Sequence, residues 1–284
     1  MTYLKKTLQF SVIFYCILLF SQTNKVDSLR GNFTYLLKGK IYKSSPDYIH
    51  EELFSLQVSD SRAFFISEKA LKFDSVFQKE FENAIHVNNK VIDFRNKSFP
   101  KTKFKYTIIQ SAENIKFYES VAMTLLYYKE PIINNWKLID EQKIVNTFNC
   151  KKAIVNYKGR NWIAWYTTEI PLSYGPYKFS GLPGLIIKIS DENDDYEFEL
   201  INSQPSNNLK GKIVTVNKLR YEKDAVETTR EKSEELKKNF DDNMIGNLQS
   251  MGSTLTDGQK ENIRNIQKQR QINKIDQNPI ELID

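Results

Sequence analysis

Two cysteines, of which Cys16 lies in an amino-terminal apolar run and Cys150 in the body of the chain, two histidines and a cluster of four acids are the side chains here whose types invite chemistry. Cys150 with a histidine base would make a nucleophile pair, because a thiolate attacks while an imidazole takes the proton. His50 stands beside Glu51 and Glu52, and His86 closes an apolar-periodic stretch. Neither opens an HxxxH or HExxH spacing that would set two imidazoles on one helix face around zinc. Such partners need only meet in the fold, so a pairing with Cys150 stays open. Asp191, Glu192, Asp194 and Asp195 gather the oxygens calcium prefers, without the alternation of an EF-hand loop. The same four also make a charged hairpin turn that needs no ion. No G-x-S-x-G elbow, P-loop or G-x-G-x-x-G run occurs. The residues assign no catalytic group, metal or cofactor, and a non-catalytic role is expected.

The amino terminus sets the expectation for the compartment in which any thiol would work. Lys5 and Lys6 precede an apolar run of about thirteen residues, Leu8 to Phe20, which polar Ser21, Gln22, Thr23 and Asn24 close. That is the basic and apolar layout of a secretory signal, too short for the roughly 20 residues of a membrane span. Residues 1–22 are therefore expected to be removed, with cleavage after Ser21 or Gln22, and 23–284 to form one β-rich domain. The nearest later apolar stretch, Val121 to Tyr128, has strand length. Cys16 is expected to leave with the leader, so Cys150 has no intramolecular disulfide partner; an intermolecular disulfide or a reactive thiol stays open, and its strand-like neighbours favour a buried, inert thiol.

Loss of two lysines and no acids takes the formal charge from +6 to +4, on a chain that is 27% charged. Lys and Arg alternate with Asp and Glu instead of gathering on one face, which argues against nucleic acid. The 40% hydrophobic fraction is ample for a core, and 15 Tyr and 18 Phe lean toward strands.

The elements read as a mainly β, α+β chain. Alternating segments SLRGNFTYLLKGKIY, HEELFSLQVS and SRAFFIS give strands with one buried face each. From Glu68 to Ala84 the period changes, and Leu71, Phe73, Val76, Phe77 and Phe81 predict a helix. TKFKYTIIQ, NIKFYESVAM, LLYYKE, NWKLID, QKIVNTF, CKKAIVNY and NWIAWYTTE then resume as strands, with turns at Asp140-Glu141 and Lys158-Gly159. The second turn sets Ala153, Val155 and Tyr157 against Trp162, Ala164 and Tyr166. An antiparallel meander forming a curved sheet or incomplete barrel is the simplest topology. Residues 219–272, rich in Glu, Lys and Leu, predict one or two C-terminal helices.

The most distinctive segment runs from Ala164 to Asp191. Pro171, Gly175-Pro176, Gly181 and Pro183-Gly184 punctuate an apolar run, so a strand must stop near Ile170, turn several times and restart at Leu185. Pro183-Gly184 fits the middle of a type II turn, with positive φ at the glycine. Gly181 to Ile186 spells GLPGLI. Upstream stand Cys150-Lys-Lys-Ala153, Gly159-Arg160, Ala164-Trp165 and Glu169-Ile170-Pro171, and the chain closes on Asn278-Pro279-Ile280-Glu281-Leu282. In these features the chain resembles the GLPGLI family of exported proteins of Gram-negative bacteria, a family without an assigned function. The resemblance implies work in the cell envelope, in the periplasm, at the outer membrane or beyond it, with an outer-membrane receptor or transporter as partner. It supplies no catalytic residues.

Arg160, Trp165, Glu169 and Tyr177 flank the loop and are types that make protein contacts, as in a docking surface. With Gly175, Pro176, Gly181, Leu182, Pro183, Gly184, Leu185 and Ile186 they form the expected binding segment. The alternative is that Leu182, Leu185 and Ile187 plug the sheet's core. Two further functions stay open: a carrier of an apolar ligand inside the curved sheet, and a thiol-dependent enzyme built on Cys150.

Overall fold

The computed structural model describes residues 27–86, 98–204, 206–222, 224–250 and 252–283. The expected leader, residues 1–22, lies outside them. Six strands come first: β1 (Gly31–Gly39), β2 (His50–Val58), β3 (Arg62–Ser67), β4 (Thr107–Ser111), β5 (Ile115–Val121) and β6 (Thr124–Glu130). Helix α1 (Glu68–His86) is inserted after β3. Five more follow: β7 (Lys137–Val145), β8 (Phe148–Tyr157), β9 (Arg160–Thr167), β10 (Leu185–Asp191) and β11 (Tyr196–Gln204). A short β12 (Val226–Glu227) precedes α2 (Arg230–Asp242), α3 (Met244–Ser250) and α4 (Asp257–Asp276).

All twelve strands join one open sheet in the order β12-β6-β5-β4-β3-β2-β1-β11-β10-β9-β8-β7. The meander is thus doubled. One runs outward from β1 to β6, the other inward from β7 to β11, and β1 pairs with β11 to join them. Only β12, against β6, is parallel.

This order forces curvature. Residues 131–136 carry the chain from β6 to β7, and seven Cα steps reach at most about 24 Å. Ten strand spacings in a flat sheet would need about 48 Å. The sheet therefore bends until its two ends approach without pairing.

Alternation built the strands as expected. Along β1, Phe33, Tyr35 and Leu37 face inward and are buried, and their neighbours are not. On β3, Phe65 stacks on Phe54 with ring centroids 4.8 Å apart, while Phe64 and Ile66 face outward into a second cluster with Ala70, Tyr118 and Tyr221. Helix α1 covers that outer face mainly through Ala70 and Leu71, leaving Phe73, Phe77 and Phe81 exposed. Its aromatic stripe does not turn to the core.

Four local expectations change. NWKLID and QKIVNTF are one strand, β7, because Asp140 and Glu141 form a bulge between Ile139 and Gln142 instead of a turn. The Lys158-Gly159 hairpin forms, with φ of 50° and 81°, and sets Val155 against Trp162 and Ala153 against Ala164 as expected, but no two rings oppose each other, since Tyr157 meets Arg160 and Tyr166 meets Lys151. Strand β4 starts only at Thr107, and Phe104 and Tyr106 before it pack on the core without strand pairing. The C-terminal helices number three and begin at Arg230, beyond β12.

Candidate functional site

The GLPGLI segment is a wedge between the two ends of the sheet. After β9 ends at Thr167, residues 174–180 dive inward and Phe179 is fully buried against Trp136, Tyr157 and Trp162. Trp136 Nε1, on the β6–β7 connection, donates to the Ser180 carbonyl at 2.9 Å. The glycines are required by closeness. A Cβ on Gly184 would lie 2.0 Å from the Thr167 carbonyl oxygen, and one on Gly181 would lie 2.5 Å from that of Ile133. The expected type II turn does not form: positive φ falls on Gly181, at 90°, while Gly184 has an ordinary φ and serves the tight β9–β10 approach.

Lys178 is the centre of this wedge. Its ammonium is fully buried, 2.8 Å from Glu130 at the end of β6 and 2.8 Å from Glu281 in the C-terminal strap. It also sits 4.9 Å from the Phe117 ring centroid and 5.1 Å from that of Tyr128. Glu281 further accepts from the Tyr177 hydroxyl at 2.6 Å and pairs with Arg230 at 2.6 Å. Burial alone would raise the Glu130 carboxyl, but the Lys178 ammonium, with Lys158 and the Tyr157 hydroxyl, holds it below the usual range. Tyr177 adopts the left-handed region at φ 55°, which a bulky residue keeps only where its surroundings fix it. Its hydroxyl is pushed well up by burial first and by Glu281 next.

Arg160 clamps the same strap from the other side. It is 3% exposed. One terminal nitrogen donates to Asp191 at 2.7 Å and Asp195 at 3.0 Å, the other to the Asn278 side chain at 2.6 Å and the Pro279 carbonyl at 2.9 Å. Asn278 also donates to the Lys40 carbonyl, and Leu282 N donates to the Lys158 carbonyl at 2.8 Å. Asp191 and Asp195 of the acidic turn are thereby spent on arginine, while Glu192 accepts from the Asn161 side chain. Among the described residues no group of three or more His, Cys, Asp and Glu is placed to hold a metal.

Residues 156–188 match the family model described as a protein of unknown function, Porph_ging. The matched segment holds Arg160, Tyr177, Lys178 and the whole hexapeptide. No curated protein matches the chain. Among solved structures, two crystal forms of PNGF-II are similar at 13% identity and TM-score 0.48, over 73% and 72% of this chain. The similarity spans only about a third of PNGF-II, 33% in one form and 32% in the other. An uncharacterized conserved protein from Thermus thermophilus is similar at 9% identity and TM-score 0.34, over 72% of this chain and 91% of its own.

Wedge and strap together wall a cavity of about 240 Å³. Its rings include Phe104, Tyr106, Phe117, Tyr128, Tyr177 and Tyr196, and the strap closes one side with Asn278, Ile280 and Glu281. The Tyr106 hydroxyl is sealed from solvent without a hydrogen-bond partner.

The remaining residues singled out in the sequence lie apart from this cavity. Leu182, Leu185 and Ile186 are core, and the Ile186 carbonyl accepts from Tyr35 at 2.6 Å. Gly175 and Pro176 are buried beneath them, and the Gly175 carbonyl accepts from Gln110; Gly181 and Pro183 reach the surface. Trp165 lies under the Lys143 ammonium, 3.9 Å from its ring centroid, and exposed Glu169 accepts from Asn149 N at 2.9 Å. Cys150 is 1% exposed, and burial pushes its thiol up to about 11, away from an activated thiolate. His50 is buried 3.2 Å from Glu52. Burial alone would raise the Glu52 carboxyl, yet Ser67, Thr102 and His50 bond it and hold it low. The sequence reading missed Glu130, Lys178 and Tyr106; a lysine between Tyr177 and Phe179 was the one available signal that a charge enters the core.

Proposed function

We propose that this chain is an exported cell-envelope binding module of the GLPGLI type, acting without covalent chemistry beside an outer-membrane receptor or transporter. One observation carries the reading: an aromatic cavity lies where wedge and strap meet, beside a buried ion cluster that a purely structural core could replace with apolar packing. Buried ion pairs are costly to desolvate and stabilise less than well-packed hydrophobes of the same volume. The leader-like residues 1–22 and the resemblance around GLPGLI support the envelope location. A tagged chain expressed in Gram-negative cells and cross-linked in the envelope should recover an outer-membrane transport protein. Recovery of none would overturn the accessory role. A second reading, a periplasmic carrier, draws on the same cavity, whose volume limits the cargo to a small molecule, well short of a lipid.

A further inference from the structure

We infer that the cavity takes a small aromatic carboxylate, ring inward and carboxylate at the mouth. The inner wall is contiguous aromatic surface: Tyr106 lies 4.9 Å from Phe117, 5.8 Å from Tyr177 and 6.0 Å from Phe104 by ring centroids. Apart from the Tyr106 hydroxyl, which is sealed without a partner, its polar atoms are committed. The Tyr177 hydroxyl donates to Glu281, the Tyr196 hydroxyl to the Asn278 carbonyl, and the Lys178 ammonium to the Tyr128 hydroxyl. A sugar entering here would strand several hydroxyls, whereas a flat apolar ring strands none. An organic cation is disfavoured too, because Lys178 already supplies a positive charge against the Phe117 and Tyr128 rings.

The mouth supplies the second half of the recognition. Arg230 is held by Glu281, and Lys237 by Glu119 and Glu234. Lys103 is exposed at the mouth, and its polar contact is the Tyr42 hydroxyl, with no carboxylate among the described residues in an ion pair with it. That ammonium is the group placed to meet a ligand anion. Glu281 does not oppose it, since its charge is shared between Lys178 and Arg230.

The inference rests on the binding-module reading, and its test is separate from the envelope cross-linking. The full mature chain is titrated with 3-phenylpropionate, with the uncharged 3-phenyl-1-propanol, and with glucose, following the protein by NMR. The acid should bind about tenfold more tightly than the alcohol, Lys103→Gln should erase that difference, and glucose should not bind. Lys103 is exposed, so this variant keeps the fold. Intermolecular NOEs from the probe ring should fall on Phe104, Tyr106 and Phe117, a readout that needs no core substitution. Equal affinity for acid and alcohol, an acid preference that survives Lys103→Gln, NOEs to other rings, or no binding of the acid would each overturn the assignment. A positive cross-link with a silent titration would remove the aromatic acid and leave the module standing.

Discussion

Lys178 is a charge in a core, and its two glutamates make it tolerable. Taking the ammonium away by Lys178→Met leaves Glu130 and Glu281 facing each other's surroundings with less compensation, so urea unfolding should show a loss of about 3–5 kcal/mol. The linked pH behaviour has a definite sign. Glu130 is held below its unfolded value, so its contribution is present above about pH 4.3 and fades as pH falls through the lower folded value. Stability measured from pH 7 downward should drop on the acid side, and Glu130→Gln should flatten that limb. Cys150 should resist a thiol reagent in native protein and react once unfolded, and Cys150→Ala should leave every binding readout intact. At this scale the sequence was partly legible. The strand pattern around Cys150 foretold its burial. Lys178 could not be foretold, because its two partners lie 48 and 103 residues away in sequence.

The wedge is an element whose shape depends on glycines at close approaches. Gly184→Ala should cost about 2–4 kcal/mol, since the new methyl meets the Thr167 carbonyl and would push β9 from β10. Gly246→Ala, in α3 with open space around it, should instead stabilise by about 0.5–1 kcal/mol. Thermal melts of the two variants, measured side by side, separate crowding from propensity. Alternation showed where most strands lie, because each has one buried face, as Phe33, Tyr35 and Leu37 display on β1. It could not show that β1 pairs with β11 across most of the chain, a contact with no local signature. The Pro183-Gly184 turn misled for a related reason: a glycine kept for closeness and a glycine kept for positive φ look alike in sequence.

Over the whole molecule, the doubled meander leaves a gap between β6 and β7, and the chain fills it with its own wedge and its own C-terminal strap. Glu130 of β6, Tyr157 of β8 and Lys178 of the wedge meet there, with Glu281 of the strap beside them. A cavity at such a closure is lined from segments distant in sequence, which is why the sequence disclosed its aromatic richness but not its location. The strap closes one side of the cavity, so truncation after Gln277 should abolish binding of 3-phenylpropionate even where circular dichroism shows the sheet retained. The central claim, that this closure is a binding site in an envelope protein, is tested most directly by native mass spectrometry of the chain recovered from the envelope of Gram-negative cells. The prediction is a one-to-one small-molecule adduct that weakens in Lys103→Gln; a chain recovered from the envelope free of any adduct, in both forms, would contradict it.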